Sequence, residues 1–262
     1  MIIDIREIES NRWLRRGIAL LDDEAYEAAL NAFRRAHESN PDSVDAIHYL
    51  AQELYMQGDA AEAEKLLRRG LEIKPTVGVY RTLAAIILDN PKRIEEIPQI
   101  IAAVREKLGD QKNADLIEGH YELEKNNGAA AAEFFRRALD ADPENGEAAE
   151  GLSRALNLIG IDLSEAGNNE EAIFTFKKAI DLDPYCSAPQ VNIGNCFCAL
   201  GRLERARRAY EIGIELDPDN PQAHFNLARL LVDESRYEDA EAEFLEVLRI
   251  DPEYPDAHAE LG

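Results

Sequence analysis

Histidine and cysteine are the side chains best suited to acid–base, nucleophilic or metal chemistry, and this 262-residue chain has five histidines and three cysteines. No two histidines show the His-Glu-x-x-His spacing of a zinc hydrolase, and no Gly-x-x-x-x-Gly-Lys phosphate loop occurs. Cys196 and Cys198 are two residues apart, which places them about 200° apart around a helix and prevents them from sharing a metal. The sequence therefore predicts no catalytic residue, no metal site and no cofactor.

Asparagine side chains indicate binding chemistry instead. Asn192 and Asn226 occupy equivalent positions in two segments that share the apolar spacing of amphipathic helices. A side-chain amide offers both hydrogen-bond donors and acceptors, so it can hold the backbone of an extended peptide whatever the peptide's side chains. Asn195 and Arg229 follow three residues later, on the same helix faces. These four residues are predicted to form a peptide-binding surface.

A second candidate surface lies nearer the N-terminus, where His48, Tyr49, Gln52 and Tyr55 cluster on one predicted helix. Aromatic side chains of this kind can anchor an apolar residue of a bound peptide. The alternative is that some of them are core residues, because Tyr49 and Met56 are seven residues apart on one stripe. Both interpretations stay open at this point.

The elements that would position these residues repeat along the chain. Residues 187–220 and 221–254 form two segments of equal length, and each contains two amphipathic helices. Each copy has a small residue in its first helix, an alanine four residues before an aromatic residue in its second, and a closing Asp-Pro. A fixed period of about 34 residues is the signature of a helical repeat array.

Closing prolines extend the period over most of the chain, and they stand at Pro41, Pro75, Pro143, Pro184, Pro218 and Pro252. The interval from Pro75 to Pro143 is two periods long, so it requires a repeat without its closing proline. The predicted organisation is an N-terminal extension at 1–9 and one array over 10–262, with repeats at 10–43, 44–77, 78–111, 112–145, 146–186, 187–220 and 221–254 and a partial helix at 255–262. Residues 1–9 either lengthen the first helix or cover its apolar edge.

Two repeats depart from the pattern. Repeat 78–111 has Ile97 where alanine is usual, followed by Pro98, so its second helix is predicted to begin late or kink. Repeat 146–186 has seven extra residues, close to two helical turns, which can lengthen its first helix without rotating the buried face.

The motif residues Trp13, Gly17, Leu20, Ala29 and Phe33, with the proline that closes this repeat, resemble the tetratricopeptide repeat family. Arg16 departs from the pattern, because leucine is usual there. The resemblance implies an all-α fold: a right-handed α-solenoid, or superhelix, of about seven helix-turn-helix units, whose inner groove is lined mainly by first helices.

The resemblance also bears on the asparagines, since their position faces the groove in this family. Asn192 and Asn226 resemble two rungs of the peptide-holding ladder in the repeat region of O-GlcNAc transferase. The preceding repeat has Leu158 in that slot and the following one has Glu260, so only two rungs are expected. A clamp for acidic C-terminal tails is disfavoured. Asn195 and Asn226 match its asparagines, but its basic positions fall on Val191, Asp256 and Glu260.

The net charge of −23 restricts the partners. An acidic surface repels phosphate backbones, which disfavours nucleic acid and anionic membranes and favours basic polypeptides. The alternative is that the acidity only keeps a large surface soluble. No apolar run is long enough to span a membrane, and the acidic N-terminus does not resemble a signal peptide. Three cysteines in one region form no disulfide framework, so a cytoplasmic protein is expected.

These observations predict a non-enzymatic scaffold or adaptor that binds a protein or peptide in the groove of a tetratricopeptide superhelix. The asparagines would hold the peptide backbone, the aromatic residues near Tyr55 would take an apolar side chain, and acidic residues would attract basic segments. An alternative from another class is the substrate-recruiting arm of a larger enzyme, such as a glycosyltransferase, with its catalytic domain beyond residue 262. A third hypothesis is self-association through the C-terminal end.

Overall fold

The computed structural model describes residues 5–261, and all regular secondary structure within this range is helical. This confirms the predicted all-α class. The chain forms two compact units, one ending at Glu124 and the other beginning at Lys125. They are called the N-terminal unit and the C-terminal unit below, and each is described by itself.

The N-terminal unit is built from short helices in which each packs against the next. Its described part contains α1 (Ile5–Asp22), α2 (Tyr26–Ser39), α3 (Val44–Met56), α4 (Ala60–Ile73), α5 (Val77–Leu88), α6 (Ile97–Ala102) and α7 (Gln111–Glu124). Helix α1 packs on α2, α2 on α3, α3 on α4 and α4 on α5. One continuous apolar core runs through these helices, with Phe33, Ile47 and Leu67 fully buried.

Helix α1 begins at Ile5, so the part of the N-terminal extension that the structure describes is continuous with the first helix. Ile5 and Ile8 are 69% and 54% exposed, which shows that they do not cover an apolar edge within the described residues. Residues 1–4 of the extension lie outside the described range.

The third repeat is irregular where the sequence predicted it. After α5 the chain forms a 3₁₀-helix at Pro91–Glu96, then α6, then a π-helical turn at Ala103–Lys107. Pro98 is the second residue of α6, where its missing N–H removes no intrahelical hydrogen bond. The second helix of this repeat therefore begins late, as predicted.

The C-terminal unit is a regular succession of helix pairs. Its described residues form α8 (Gly128–Ala141), α9 (Gly146–Glu165), α10 (Asn169–Leu182), α11 (Ala188–Ala199), α12 (Leu203–Leu216), α13 (Pro221–Asp233), α14 (Tyr237–Ile250) and α15 (Pro255–Leu261). Each helix packs against the next along the chain. The predicted partial helix is α15, and Gly262 lies outside the described residues.

Helix α9 has 20 residues, which confirms the predicted elongation. Its length allows it to pack closely against both α8 and α10. Gly151 lies against the ring of Phe135 on α8, and Gly160, nine residues later, lies against the ring of Phe176 on α10. A Cβ at either glycine would fall 2.4 Å from the facing ring, so both contacts need glycine.

Small residues set the distance between the two helices of a pair. A Cβ at Gly194 on α11 would lie 2.3 Å from Cε1 of Tyr210 on α12. The equivalent small residues of the second helices are alanines, and all of them are buried: Ala29, Ala63, Ala131, Ala172, Ala206 and Ala240. The first helices α9, α11 and α13 also contact one another in succession, and the candidate site depends on that proximity.

Candidate functional site

Side-chain amides link the first helices of the C-terminal unit. Nδ2 of Asn192 on α11 donates to Oδ1 of Asn157 on α9 at 2.9 Å. Nδ2 of Asn226 on α13 donates to Oδ1 of Asn195 on α11, also at 2.9 Å. Both bonds join one repeat to the next. The predicted residues Asn192, Asn195 and Asn226 lie on the first helices α11 and α13, and Asn157 adds the preceding first helix α9.

Tyr210 orients one of these amides. Its hydroxyl donates to Oδ1 of Asn195 at 2.8 Å, and the Cys198 thiol, 3.4 Å away, completes the contact from the other side. Burial and the Cys198 contact raise the pKa of Tyr210, so the hydroxyl stays protonated and remains a donor at physiological pH. Oδ1 of Asn195 then accepts two hydrogen bonds, one from Tyr210 and one from Asn226, and its amide group is turned so that NH₂ points away from them.

The row continues toward the C-terminal end. Nε2 of Gln222 donates to Oδ1 of Asn226 at 2.9 Å, and the hydroxyl of Tyr254 donates to Oε1 of Gln222 at 3.0 Å. The set is called the amide row below, and its members are Asn157, Asn192, Asn195, Asn226 and Gln222.

The amides keep spare hydrogen-bonding capacity. An amide has two N–H donors and an oxygen that accepts two bonds. Among the described residues Asn192 uses one donor, and Asn226 uses one donor and one acceptor position. Asn192 and Asn226 are half-buried and Asn195 is exposed. The row can therefore donate to, and accept from, a backbone laid across it without breaking its own bonds.

Asn157 was not anticipated, because counting back one period from Asn192 selects Leu158. In the structure Leu158 packs against Gly128 at the start of α8, and Asn157, 35 residues before Asn192, faces the row. The bond to Asn157 spans 35 residues, one more than the period, so counting back one period selects the neighbouring residue. The expectation of two peptide-holding rungs stays a prediction, and the structure adds that an asparagine of the preceding repeat bonds to Asn192. Glu260, in the following slot, is exposed on α15.

Arg229 is exposed on α13, three residues after Asn226. Its guanidinium carbon lies 6.0 Å from the centroid of the Phe225 ring, at the outer limit of a cation–π contact. Its predicted role in binding stays a prediction.

The candidate residues of the N-terminal unit bond mainly to neighbouring helices. Nε2 of His48 lies 3.1 Å from Oγ1 of Thr82, and that hydroxyl donates to the Gly78 carbonyl, so His48 must be the donor in the pair. Burial lowers the pKa of His48, which favours this neutral donor form. The Tyr49 ring stacks on Phe33 with centroids 5.3 Å apart. His48 and Tyr49 thus help hold α3 against α2 and α5.

Tyr55 makes a short hydrogen bond to Oδ2 of Asp89, and burial together with this bond raises the pKa of Tyr55 to about 12. Gln52 is half-buried, whereas Met56 at the end of α3 is 79% exposed. The apolar anchor predicted around these residues stays a prediction, and Met56 is its most accessible apolar side chain.

Two histidines have a repeated structural contact. Nε2 of His224 lies 3.1 Å from the carbonyl oxygen of Pro218, and Nε2 of His258 lies 2.9 Å from that of Pro252. Each therefore ties a first helix to the proline that closes the previous repeat. Over residues 5–261 no group of three or more His, Cys, Asp or Glu side chains is arranged to hold a metal ion. The same range has no helix with both the length and the apolarity needed to cross a membrane.

Comparison with known families agrees with the helix pairs. One tetratricopeptide repeat model matches residues 116–185, 157–211 and 191–255, and a second matches residues 20–87. The first of these alone spans more than half of the chain. The chain belongs to the tetratricopeptide repeat family, and its fold is an α-solenoid of such repeats.

The individual proteins that match this chain have low sequence identity to it. The chain is 25% identical over 197 residues to the human protein O-mannosyl-transferase TMTC3, an alignment that covers 70% of this chain and 21% of the relative. The chain thus spans about a fifth or less of the length of the curated relatives it matches.

Two solved structures share the fold. A tetratricopeptide repeat protein from Parabacteroides merdae ATCC 43184 is 13% identical, with a TM-score of 0.63 and 96% of each chain covered. A chain of the APC/C hetero-tetramer Cut9-Hcn1 is 14% identical, with a TM-score of 0.65, covering 97% of this chain and 52% of that one. At these identities the likeness concerns the fold alone.

Proposed function

We propose that this protein is a non-enzymatic interaction scaffold that holds an extended polypeptide segment along the amide row on α9, α11 and α13. The observation that carries the proposal is the pair of bonds from Asn192 to Asn157 and from Asn226 to Asn195. They align amides from successive repeats and leave part of each amide's hydrogen-bonding capacity unused.

The chemistry of the row favours backbone over side-chain recognition. Each peptide unit of an extended segment presents one N–H and one C=O, and an amide can meet either. Binding through such contacts tolerates many sequences, so selectivity must come from residues beside the row, such as Arg229, and from charge. The chain's net charge of −23 would attract basic segments and accelerate their encounter at low salt.

The experiment is capture of partners on immobilised protein, comparing wild type with the Asn192→Ala/Asn226→Ala variant. The matched control is Asn31→Ala/Asn168→Ala, which removes two exposed amides outside the row. We expect the row variant to lose partners that the control retains. Equal capture by both variants would remove the row from the proposal while leaving the scaffold function standing.

A second candidate function is the substrate-recruiting arm of a larger enzyme. The observation in its favour is the match to a fifth of an O-mannosyl-transferase, a relative much longer than this chain. The reading frame of the parent gene on both sides of codons 1–262 decides this point. A catalytic domain in that frame would support the arm, and stop codons directly bordering this segment would exclude it.

The surface of α3 in the N-terminal unit is a separate proposal. There Tyr55 and the exposed Met56 would receive an apolar side chain of a bound peptide. Substitution Met56→Ser should weaken binding of such a peptide without lowering the stability of the unit, because the side chain is already in solvent.

A further inference from the structure

A groove lies on the C-terminal unit away from the amide row, between the second helices α10 and α12 and over one side of α11. Its volume is about 550 Å³. Phe174, Ile193, Phe197 and Ile212 contribute its apolar lining, and Phe174 and Ile212 are 59% and 41% exposed. Large apolar side chains left in solvent at the edges of one groove mark a surface suited to another molecule.

Cations surround this apolar lining. The basic residues that line the groove are Lys177, Lys178, Arg205 and Arg208, and the acidic residue beside them in the lining is Asp181. Nζ of Lys178 lies 4.3 Å from the Phe174 ring centroid, and Cζ of Arg205 lies 5.8 Å from that of Phe197. The chain as a whole has 52 acidic and 29 basic residues, so this local excess of positive charge is opposite in sign to the net charge of the chain.

The groove cations also differ from their neighbours in pairing. On and beside α12, Arg202 lies 2.6 Å from Glu170, and Arg207 lies 2.5 Å from Glu204. Arg205 and Arg208 of the same helix have no carboxylate within 4.0 Å in residues 5–261, and neither have Lys177 and Lys178 of α10. Four basic side chains are thus available to carboxylates from outside the chain.

The groove and the amide row occupy opposite sides of α11. Gln190, Ile193 and Phe197 face the groove, whereas Asn192 and Asn195 belong to the row. At about 100° per residue the two stripes are centred roughly 160° apart around the helix. A segment bound in the groove would therefore leave the row accessible.

We propose that this groove docks an acidic segment of a partner protein that carries large apolar side chains. The apolar side chains pack on Phe174, Phe197 and Ile212, and the carboxylates pair with the lysines of α10 and the arginines of α12. Charge complementarity selects this occupant, because the groove lining has four basic residues and one acidic residue in a chain whose net charge is −23. The apolar lining favours such a peptide over nucleic acid, whose phosphates need no aromatic or isoleucine contacts.

The test measures fluorescence anisotropy with three synthetic peptides of equal length, each long enough for four helical turns. The first has leucine and phenylalanine at i, i+3, i+4 and i+7 and glutamate or aspartate elsewhere. The second has lysine in place of the acidic residues, and the third has serine in place of the apolar ones. We expect saturable, salt-sensitive binding of the first peptide and at least tenfold weaker binding of the other two.

Variants assign the binding to the groove. Arg205→Glu/Arg208→Glu should weaken the first peptide at least tenfold, and Phe174→Ser should weaken it measurably while leaving the helical circular dichroism unchanged. The matched control is Arg136→Glu/Arg137→Glu, which reverses two exposed cations on α8 and should change the affinity less than twofold.

Three results would overturn the proposal. The first is equal binding of the acidic and basic peptides, and the second is unchanged binding of the acidic peptide by the charge-reversed groove. The third is sedimentation showing wild-type self-association that the charge reversal abolishes, because the occupant would then be a second copy of this chain. None of these results bears on the amide row, whose residues are unaltered.

Discussion

Asn192 on α11 donates a 2.9 Å hydrogen bond to Asn157 on α9, a residue of the preceding repeat. The bond joins the first helices of two successive repeats through half-buried side chains. It shows how a row of amides can be held in position by its own members. The same bond makes the row testable as a structural feature, apart from any ligand.

The first prediction is that Asn157 and Asn192 are energetically coupled. Each single change to alanine should lower the free energy of unfolding by about 0.5–1.5 kcal/mol, because one half-buried hydrogen bond is lost. Once the first partner is gone, removing the second costs less, so the double variant should fall short of the sum by about 0.5–1 kcal/mol. Urea unfolding of the four proteins measures this difference. Strict additivity would mean that the bond contributes nothing in solution.

A second prediction concerns the contact between Gly194 and Tyr210. The substitution Gly194→Ala places a Cβ 2.3 Å from the tyrosine ring, so the pair α11–α12 must separate or the ring must move. We expect a loss of about 1–3 kcal/mol in the free energy of unfolding. The control is Gly146→Ala at the start of α9, where a Cβ meets nothing within 4 Å. Equal stability of the two variants would contradict the tight packing of this pair.

The third prediction is a pH-dependent contribution from Glu64. Oε2 of Glu64 lies 2.6 Å from Nη1 of Arg93, and this hydrogen bond is the largest cause that lowers the pKa of Glu64 from 4.5 to about 2. A carboxyl group with a lowered folded pKa stabilises the protein fully above about pH 5, and the contribution is lost as the pH falls toward 2. The shift alone would correspond to about 3 kcal/mol. Because both side chains keep contact with water, about 1 kcal/mol is expected.

Thermal unfolding of Glu64→Gln and wild type at pH 7, 4 and 3 measures this effect. The gap in melting temperature between the two proteins should be largest at pH 7 and should narrow at each lower pH. Glu62→Gln serves as control, because the Glu62–Lys65 pair at 3.1 Å is exposed and should contribute less than about 0.5 kcal/mol. A gap that stays constant from pH 7 to pH 3 would show that Glu64 does not act through its charge.

Much of the helix pattern could be predicted from the sequence because proline and small residues recur at fixed spacing. The closure at Pro218 located the end of α12, and the seven extra residues of repeat 146–186 predicted the 20-residue α9. Pro98 indicated an irregular helix in the third repeat, but the 3₁₀ and π turns that flank α6 depend on tertiary packing that local spacing does not encode.

The site was only partly predictable. Asn192 and Asn226 were found by their spacing, whereas Asn157 was missed because its bond to Asn192 spans 35 residues, one more than the period. The pairing of Tyr55 with Asp89 spans one period of 34 residues, and it was missed because the spacing does not say which side chains meet between two repeats. Hydrogen bonds between repeats depend on how two helix pairs stack on each other. The residue pattern of a single repeat does not specify the angle between the two pairs.

The most direct test of the amide row is the affinity of a peptide selected from a random library on the wild-type protein. Isothermal titration would compare wild type, Asn192→Ala/Asn226→Ala and the control Asn31→Ala/Asn168→Ala. A copy of the peptide with alternate backbone nitrogens methylated would be titrated in parallel. Backbone recognition predicts at least tenfold weaker binding both for the row variant and for the methylated peptide, with the control within twofold of wild type. Unchanged affinity in the row variant would contradict the proposed function of these asparagines.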